Sequence, residues 1–89
     1  MPRVVFTPTL QRHVASPPSV VDGASVREAL ERVLERNERL RGYVLDDQGE
    51  LRPDLAVFVD GAPVRDRVHL SDAVAPDAEI YVLQALSGG

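Results

Sequence analysis

The sequence predicts an α+β domain in which one mixed sheet of four to five strands wraps over one main helix. Three observations carry this reading. A single stretch, beginning at Ser25, has both the start signal and the apolar spacing of an amphipathic helix. On either side of it lie short runs of β-branched, aromatic and aliphatic residues bounded by Pro, Gly and Asp, the pattern of half-buried strands. The 89 residues suffice for one modest core and no more than one domain.

Taken in order, Arg3-Val4-Val5-Phe6 reads as a first strand, interrupted at Thr7-Pro8-Thr9 because proline cannot donate to a ladder. Leu10 to Val14 fits either a helical turn or the end of a hairpin, and Ala15-Ser16-Pro17-Pro18 is a loop. Ser19-Val20-Val21 is a short second strand closed by the turn dipeptide Asp22-Gly23. Ser25 and Glu28 then form an S-x-x-E capping box. Val26, Ala29, Leu30, Val33 and Leu34 follow on one helix face, and Glu28–Arg32 and Glu35–Arg39 stand at the i,i+4 spacing of ion pairs. The helix is expected to end between Asn37 and Arg39, with Gly42 as a left-handed exit.

Beyond it, Tyr43-Val44-Leu45 is apolar, and Asp46-Asp47-Gln48-Gly49 is a polar turn. Leu55 to Val59 is the strongest strand, and Asp60-Gly61 reads as a two-residue hairpin turn with positive φ at both positions. Ala62-Pro63-Val64 returns as a short edge strand. Leu70 to Val74 fits one helical turn, Pro76-Asp77 turns the chain, and Ile80 to Leu83 is the last strand. Strand, strand, helix, strand, short strand, strand is the order of a ubiquitin-like β-grasp. A right-handed crossover then lays the last strand beside the first, inside the sheet.

Composition removes several classes of chemistry. With no cysteine, the chain has no disulfides, thiolate zinc site, iron–sulfur cluster or cysteine nucleophile, which suits the cytoplasm. The net charge of −4, without a basic stripe, argues against nucleic acid. No apolar run approaches 18 residues and no secretory leader is visible, so neither a membrane span nor a signal peptide is expected. The basic residues are all arginine, as a GC-rich coding sequence favours; no side chain can accept an isopeptide bond.

Among other candidates, His13 and His69 lack metal-ligand spacing and are expected to be solvated or capping. Asp46, Asp47 and Glu50 do not have the spacing of an EF-hand and read as a solvated turn. Ser25 and Ser71-Asp72 are helix-cap patterns, Asp66 and Arg67 surface charges, and Phe58 a core residue. Leu83 and Leu86 fit either the core or a docking surface. No metal site is expected.

Three segments resemble the MoaD/ThiS family of small sulfur-carrier proteins: Ser25-Val26-Arg27-Glu28-Ala29-Leu30; Asp46 to Pro53 leading into Val57-Phe58-Val59-Asp60-Gly61; and Asp77 to Val82 followed by Ser87-Gly88-Gly89. The resemblance covers residues 25–89, while the first 24 share only the general plan. It implies a β-grasp domain over residues 1–83 and a flexible tail over residues 84–89. It also implies that the chain is no enzyme but a covalent carrier. The Gly89 carboxylate would attack the α-phosphate of ATP on a ubiquitin-activating-enzyme-like adenylyltransferase. The acyl-adenylate would become a thiocarboxylate at the expense of a sulfur donor, a sulfurtransferase or sulfide. A sulfur-acceptor synthase in molybdopterin, thiamine, cysteine or related biosynthesis would receive the sulfur.

No cofactor is bound permanently on this reading, since ATP belongs to the partner. Gly89 carries the chemistry, and Leu83, Gln84, Ala85, Leu86, Ser87 and Gly88 contact the partner. The residue types suit the task. A terminal carboxyl, with a reference pKa of about 3.3–3.7, is ionised at neutral pH, and glycine, lacking Cβ, passes a narrow channel. From Gln84 to Gly89 an extended tail reaches roughly 20 Å. Two alternatives stay open: a non-catalytic β-grasp interaction module, and a ubiquitin-like protein modifier using the same tail.

Overall fold

The computed structural model describes residues 1–8 and 17–84. Among them, five strands form one sheet: β1 (Arg3–Phe6), β2 (Ser19–Val20), β3 (Leu55–Val59), β4 (Ala62–Pro63) and β5 (Glu79–Gln84). Their spatial order is β2-β1-β5-β3-β4. Two helices, α1 (Val26–Glu35) and α2 (Glu38–Val44), lie between β2 and β3 in the chain. This is the expected β-grasp. The last strand enters the middle of the sheet, parallel to β1 (Val4↔Ile80, Phe6↔Val82) and antiparallel to β3 (Val57↔Val82, Val59↔Ile80). The passage at Leu10 to Val14 and the turn at Ala15-Ser16 lie outside the described residues.

Strand alternation decides what is buried. Val4, Phe6, Val57, Ile80 and Val82 point to one face and meet Val26, Ala29, Leu30, Val33 and Leu34 of α1 in a single core. Ser25 caps α1 as expected, its hydroxyl accepting from the Glu28 N–H at 3.2 Å. The Glu28 carboxylate turns back to accept from the Ala24 N–H at 3.0 Å. That use of Glu28 reshuffles the expected ion pairs: Arg27 pairs with Glu31, Arg32 with Glu35, and Glu31 also with Arg41 of α2.

Three expectations need correction. The helical region does not close at Gly42 in a left-handed conformation. Instead α1 ends at Glu35, and Asn37 opens α2 by accepting from the Leu40 N–H at 3.2 Å. An asparagine side chain competes for backbone partners, so it breaks one helix and caps the next, and Leu40 and Val44, four apart, bury the new helix's face. Leu70 to Val74 is not a helical turn, because Leu70 takes φ 59° to put its side chain fully into the core. Phe58 is not a core residue; it alternates with buried Leu55 and Val57 and is half-buried on the opposite face.

The hairpin turn behaves as expected, with φ 50° at Asp60 and 85° at Gly61 between paired Val59 and Ala62. At Gly23 the reason for glycine is closeness, since a Cβ there would lie 2.7 Å from the Ala29 backbone nitrogen.

Candidate functional site

The site grows from the strands whose side chains the helices do not cover. Both helices pack on the inner face of the sheet. On the outer face, register lines up Val5, Tyr81, Phe58 and Pro63 in one row across β1, β5, β3 and β4. Val5 and Phe58 are half-buried, Tyr81 is 37% exposed and Pro63 is exposed. One row toward the end of β5, half-buried Leu83 stands beside half-buried Ala56. At the opposite end, Arg3 and Glu79 form an ion pair at 3.0 Å. The face is thus charged where β5 begins and apolar where it ends.

That ending is the root of the C-terminal segment. Leu83 lies on the apolar outer face. Gln84, assigned to the tail from sequence, is the last residue of β5; it pairs with Leu55, and its Nε2 donates to Asp54 Oδ2 at 3.3 Å. Two arginines border this root. Arg67 donates from Nη1 to the Leu55 carbonyl and from Nη2 to the Arg52 carbonyl, both at 3.2 Å. Arg52 in turn donates from Nε to the Gly42 carbonyl at 2.7 Å. Arg67 therefore braces the start of β3, next to the strand that delivers the tail, and is more than a surface charge. Ala85, Leu86, Ser87, Gly88 and Gly89 lie outside the described residues.

The segment between β4 and β5 is built on two carboxylates. Asp66 accepts from the Ser71 hydroxyl, from the backbone N–H of His69 at 2.9 Å, and from those of Val68 at 3.2 Å and Ser71 at 3.3 Å. The Ser71 hydroxyl above all, then the His69 N–H, holds its pKa down to about 2. Asp72 accepts from the backbone N–H groups of Arg65 and Asp66, both at 2.8 Å, which lower its pKa despite the neighbouring Asp66 charge. Ser71-Asp72, expected to cap a helix, thus organises a loop instead. Arg27 ties this loop to α1 and to the turn before β3, donating to the His69 carbonyl at 3.0 Å and the Gly49 carbonyl at 2.7 Å. This cluster is a scaffold for Leu70 and does not face the outer row of β5.

The remaining candidates stay apart from the site. Asp46 Oδ1 accepts from the backbone of Gln48 and Glu50, an Asx turn that closes the Leu45–Leu51 bridge. His69 is exposed, and His13 lies outside the described residues. Among the described residues no group of three or more His, Cys, Asp and Glu side chains could hold a metal ion, and no helix is long and apolar enough to cross a membrane. The outer row escaped the sequence reading because Leu55 to Val59 is apolar at every position, which erases the period-2 signal. The one available cue was Tyr81 between Ile80 and Val82.

No family model and no curated protein matches the chain. Solved structures do. SAMP1 from Haloferax volcanii matches with a TM-score of 0.81 at 25% identity, over 99% of this chain and 98% of that one. A chain of the Amycolatopsis orientalis BexX/CysO complex matches with a TM-score of 0.81 at 22% identity, over all of both chains. CysO from Mycobacterium tuberculosis matches with a TM-score of 0.79 at 17% identity, over 97% of this chain and 100% of that one. Over its full length the chain shares the ubiquitin-like fold of carriers and modifiers of the MoaD/ThiS type, the kind its sequence resembles.

Proposed function

We propose that this chain carries sulfur on the carboxyl of Gly89. The observation that carries the reading is the placement of β5: it runs through the centre of the sheet, ends on the apolar part of the uncovered face, and leads directly to Ala85-Leu86-Ser87-Gly88-Gly89. A partner that covers Val5, Phe58, Tyr81 and Leu83 receives the tail at a fixed distance from its own active site. Burying half-exposed apolar side chains supplies affinity, and the glycines supply a thin approach to the nucleotide.

The chemistry follows from the carboxylate. On the partner, an ATP-dependent adenylyltransferase, a Gly89 carboxylate oxygen attacks the α-phosphorus, the O–P bond forms and pyrophosphate leaves. Hydrosulfide then attacks the acyl carbon, AMP leaves, and a thiocarboxylate remains for transfer to an acceptor synthase; with a persulfide donor the acyl disulfide formed first is cleaved to the thiocarboxylate by a second thiol, which ends as a disulfide. Gly89 is the reacting residue; Leu83, Gln84, Ala85, Leu86, Ser87 and Gly88 position it. No side chain of this chain acts as acid or base, no cofactor stays bound, and ATP is the partner's co-substrate. A cysteine-free chain of this kind suits the reducing cytoplasm. A structure of similar fold solved as the BexX/CysO complex supports docking on a protein partner.

A second reading, attachment of the same carboxyl to amines of other proteins, draws on the match to small archaeal modifier protein 1. Both readings share the adenylate. Incubation with ATP and the cognate adenylyltransferase should give a Gly89 adenylate. Adding a sulfur donor should then leave the chain heavier than its unmodified acid by the difference between a sulfur and an oxygen atom. No mass change with the cognate partner would overturn both, and amide-linked adducts without the sulfur product would favour the second.

A further inference from the structure

We propose that the arginine identity of Arg52 and Arg67 leaves the activated carboxyl of Gly89 without an acceptor on its own domain, so that its acyl group passes only to another molecule. The inference rests on the reading that Gly89 is activated. It deepens that reading by stating which class of reaction can consume the product.

The argument begins with reach. Five residues beyond Gln84 span at most about 18 Å. Gln84 pairs with Leu55, and paired Cα atoms stand about 5 Å apart. The Arg67 guanidinium touches the Leu55 and Arg52 carbonyls, both at 3.2 Å, which puts it and the Arg52 backbone within that length of Gln84; from there the Arg52 side chain extends to the Gly42 carbonyl at 2.7 Å. At these two positions a lysine would be held near an acyl-adenylate or thioester at the high effective concentration of a tethered reactant. A lysine amine, with a reference pKa of about 10.4, has a small neutral and nucleophilic fraction at neutral pH. A guanidinium has effectively none. The chain has ten arginines and no lysine.

The α-amine of Met1 is kept away by topology. β1 and β5 are parallel, with Arg3 opposite Glu79, so β5 carries Gln84 about 16 Å beyond that pair. Met1 lies on the other side of it, in a cleft with Asp22, Val74 and Pro76 where β5 has yet to begin. Five steps from Glu79 to Gln84 and two from Arg3 back to Met1, at about 3.3 Å each, separate Met1 from Gln84 by about 23 Å, beyond the roughly 18–20 Å that an extended tail spans. An activated Gly89 therefore survives on its own domain until an external sulfur donor or amine arrives. The domain likewise offers no lysine at which a second copy could branch.

The test prepares residues 1–89 as a C-terminal thioester by intein cleavage, which needs no adenylyltransferase, so it stands whatever the partner assay gives. At pH 8 the parent thioester should only hydrolyse to the acid. In Arg67→Lys the new ε-amine should attack the Gly89 carbonyl; the C–N bond forms, the C–S bond breaks, the thiol leaves and the extra nitrogen proton passes to solvent. The product is one water lighter than the acid, with the cross-link mapped to residues 67 and 89 by tandem mass spectrometry. It should form at least tenfold faster than hydrolysis. Arg52→Lys should do the same, and thermal melts show that each variant is folded. Two results would overturn the proposal: cyclisation of the parent onto its α-amine, or folded lysine variants that hydrolyse as the parent does.

Discussion

Single residues carry the unusual backbone of this fold. Leu70 reaches the core only by adopting a left-handed conformation that leucine disfavours, and the carboxylates of Asp66 and Asp72 hold the loop that imposes it. The pKa of Asp66 lies at about 2, below its ordinary 3.8. Its contribution to stability is therefore complete above about pH 4 and is lost as the pH falls through about 2. Asp66→Asn should lower the melting temperature at pH 7 and flatten its fall between pH 4 and pH 2. Thermal melts across that range check this, and a variant as pH-dependent as the parent contradicts it. Asn37→Ala should cost about 1 kcal/mol, the worth of a helix cap, in denaturant unfolding.

At the scale of elements, the proposed function assigns stability to α1 and recognition to the outer row of the sheet. Leu30 is 1% exposed at the centre of the core, so Leu30→Ala should cost about 2–5 kcal/mol in chemical denaturation. Tyr81 stands on the other face opposite Phe58, and a cross-strand pair of this kind contributes roughly 0.2–1 kcal/mol. Tyr81→Ala should therefore unfold only slightly earlier while weakening partner binding at least tenfold in calorimetry. Unchanged affinity would remove the outer row from the docking surface.

For the whole molecule, the proposed function requires sheet and tail to be separable parts. Appending one residue after Gly89 should abolish adenylation by the partner, seen as absence of the mass gain, while the melting temperature stays within a degree or two. A large loss of stability would mean that the end of the chain supports the fold. Among the described residues the two helices cover one face of the sheet, and β5 supplies side chains both to the core and to the other face, where the proposed docking row lies.

Local patterns determined much of this protein by themselves. The Ser25–Glu28 capping box, the spacing from Val26 to Leu34, Asp60-Gly61 and the order of strands dictate a β-grasp, because each is a short-range preference with one geometric outcome. The Gly88-Gly89 pair marked the candidate chemistry through its resemblance to the tail of the MoaD/ThiS family. Tertiary structure alone decided what depends on distant partners. Phe58 faces outward because Val57 before it is buried and Val59 after it packs against the core, and period-2 geometry sends the residue between them to the other face. Asp66 and Asp72 bind loop amides because Leu70 must enter the core. Arg67 meets Leu55 across twelve residues of chain, and the parallel pairing of β1 with β5 sets Met1 and Gln84 toward opposite ends of the sheet.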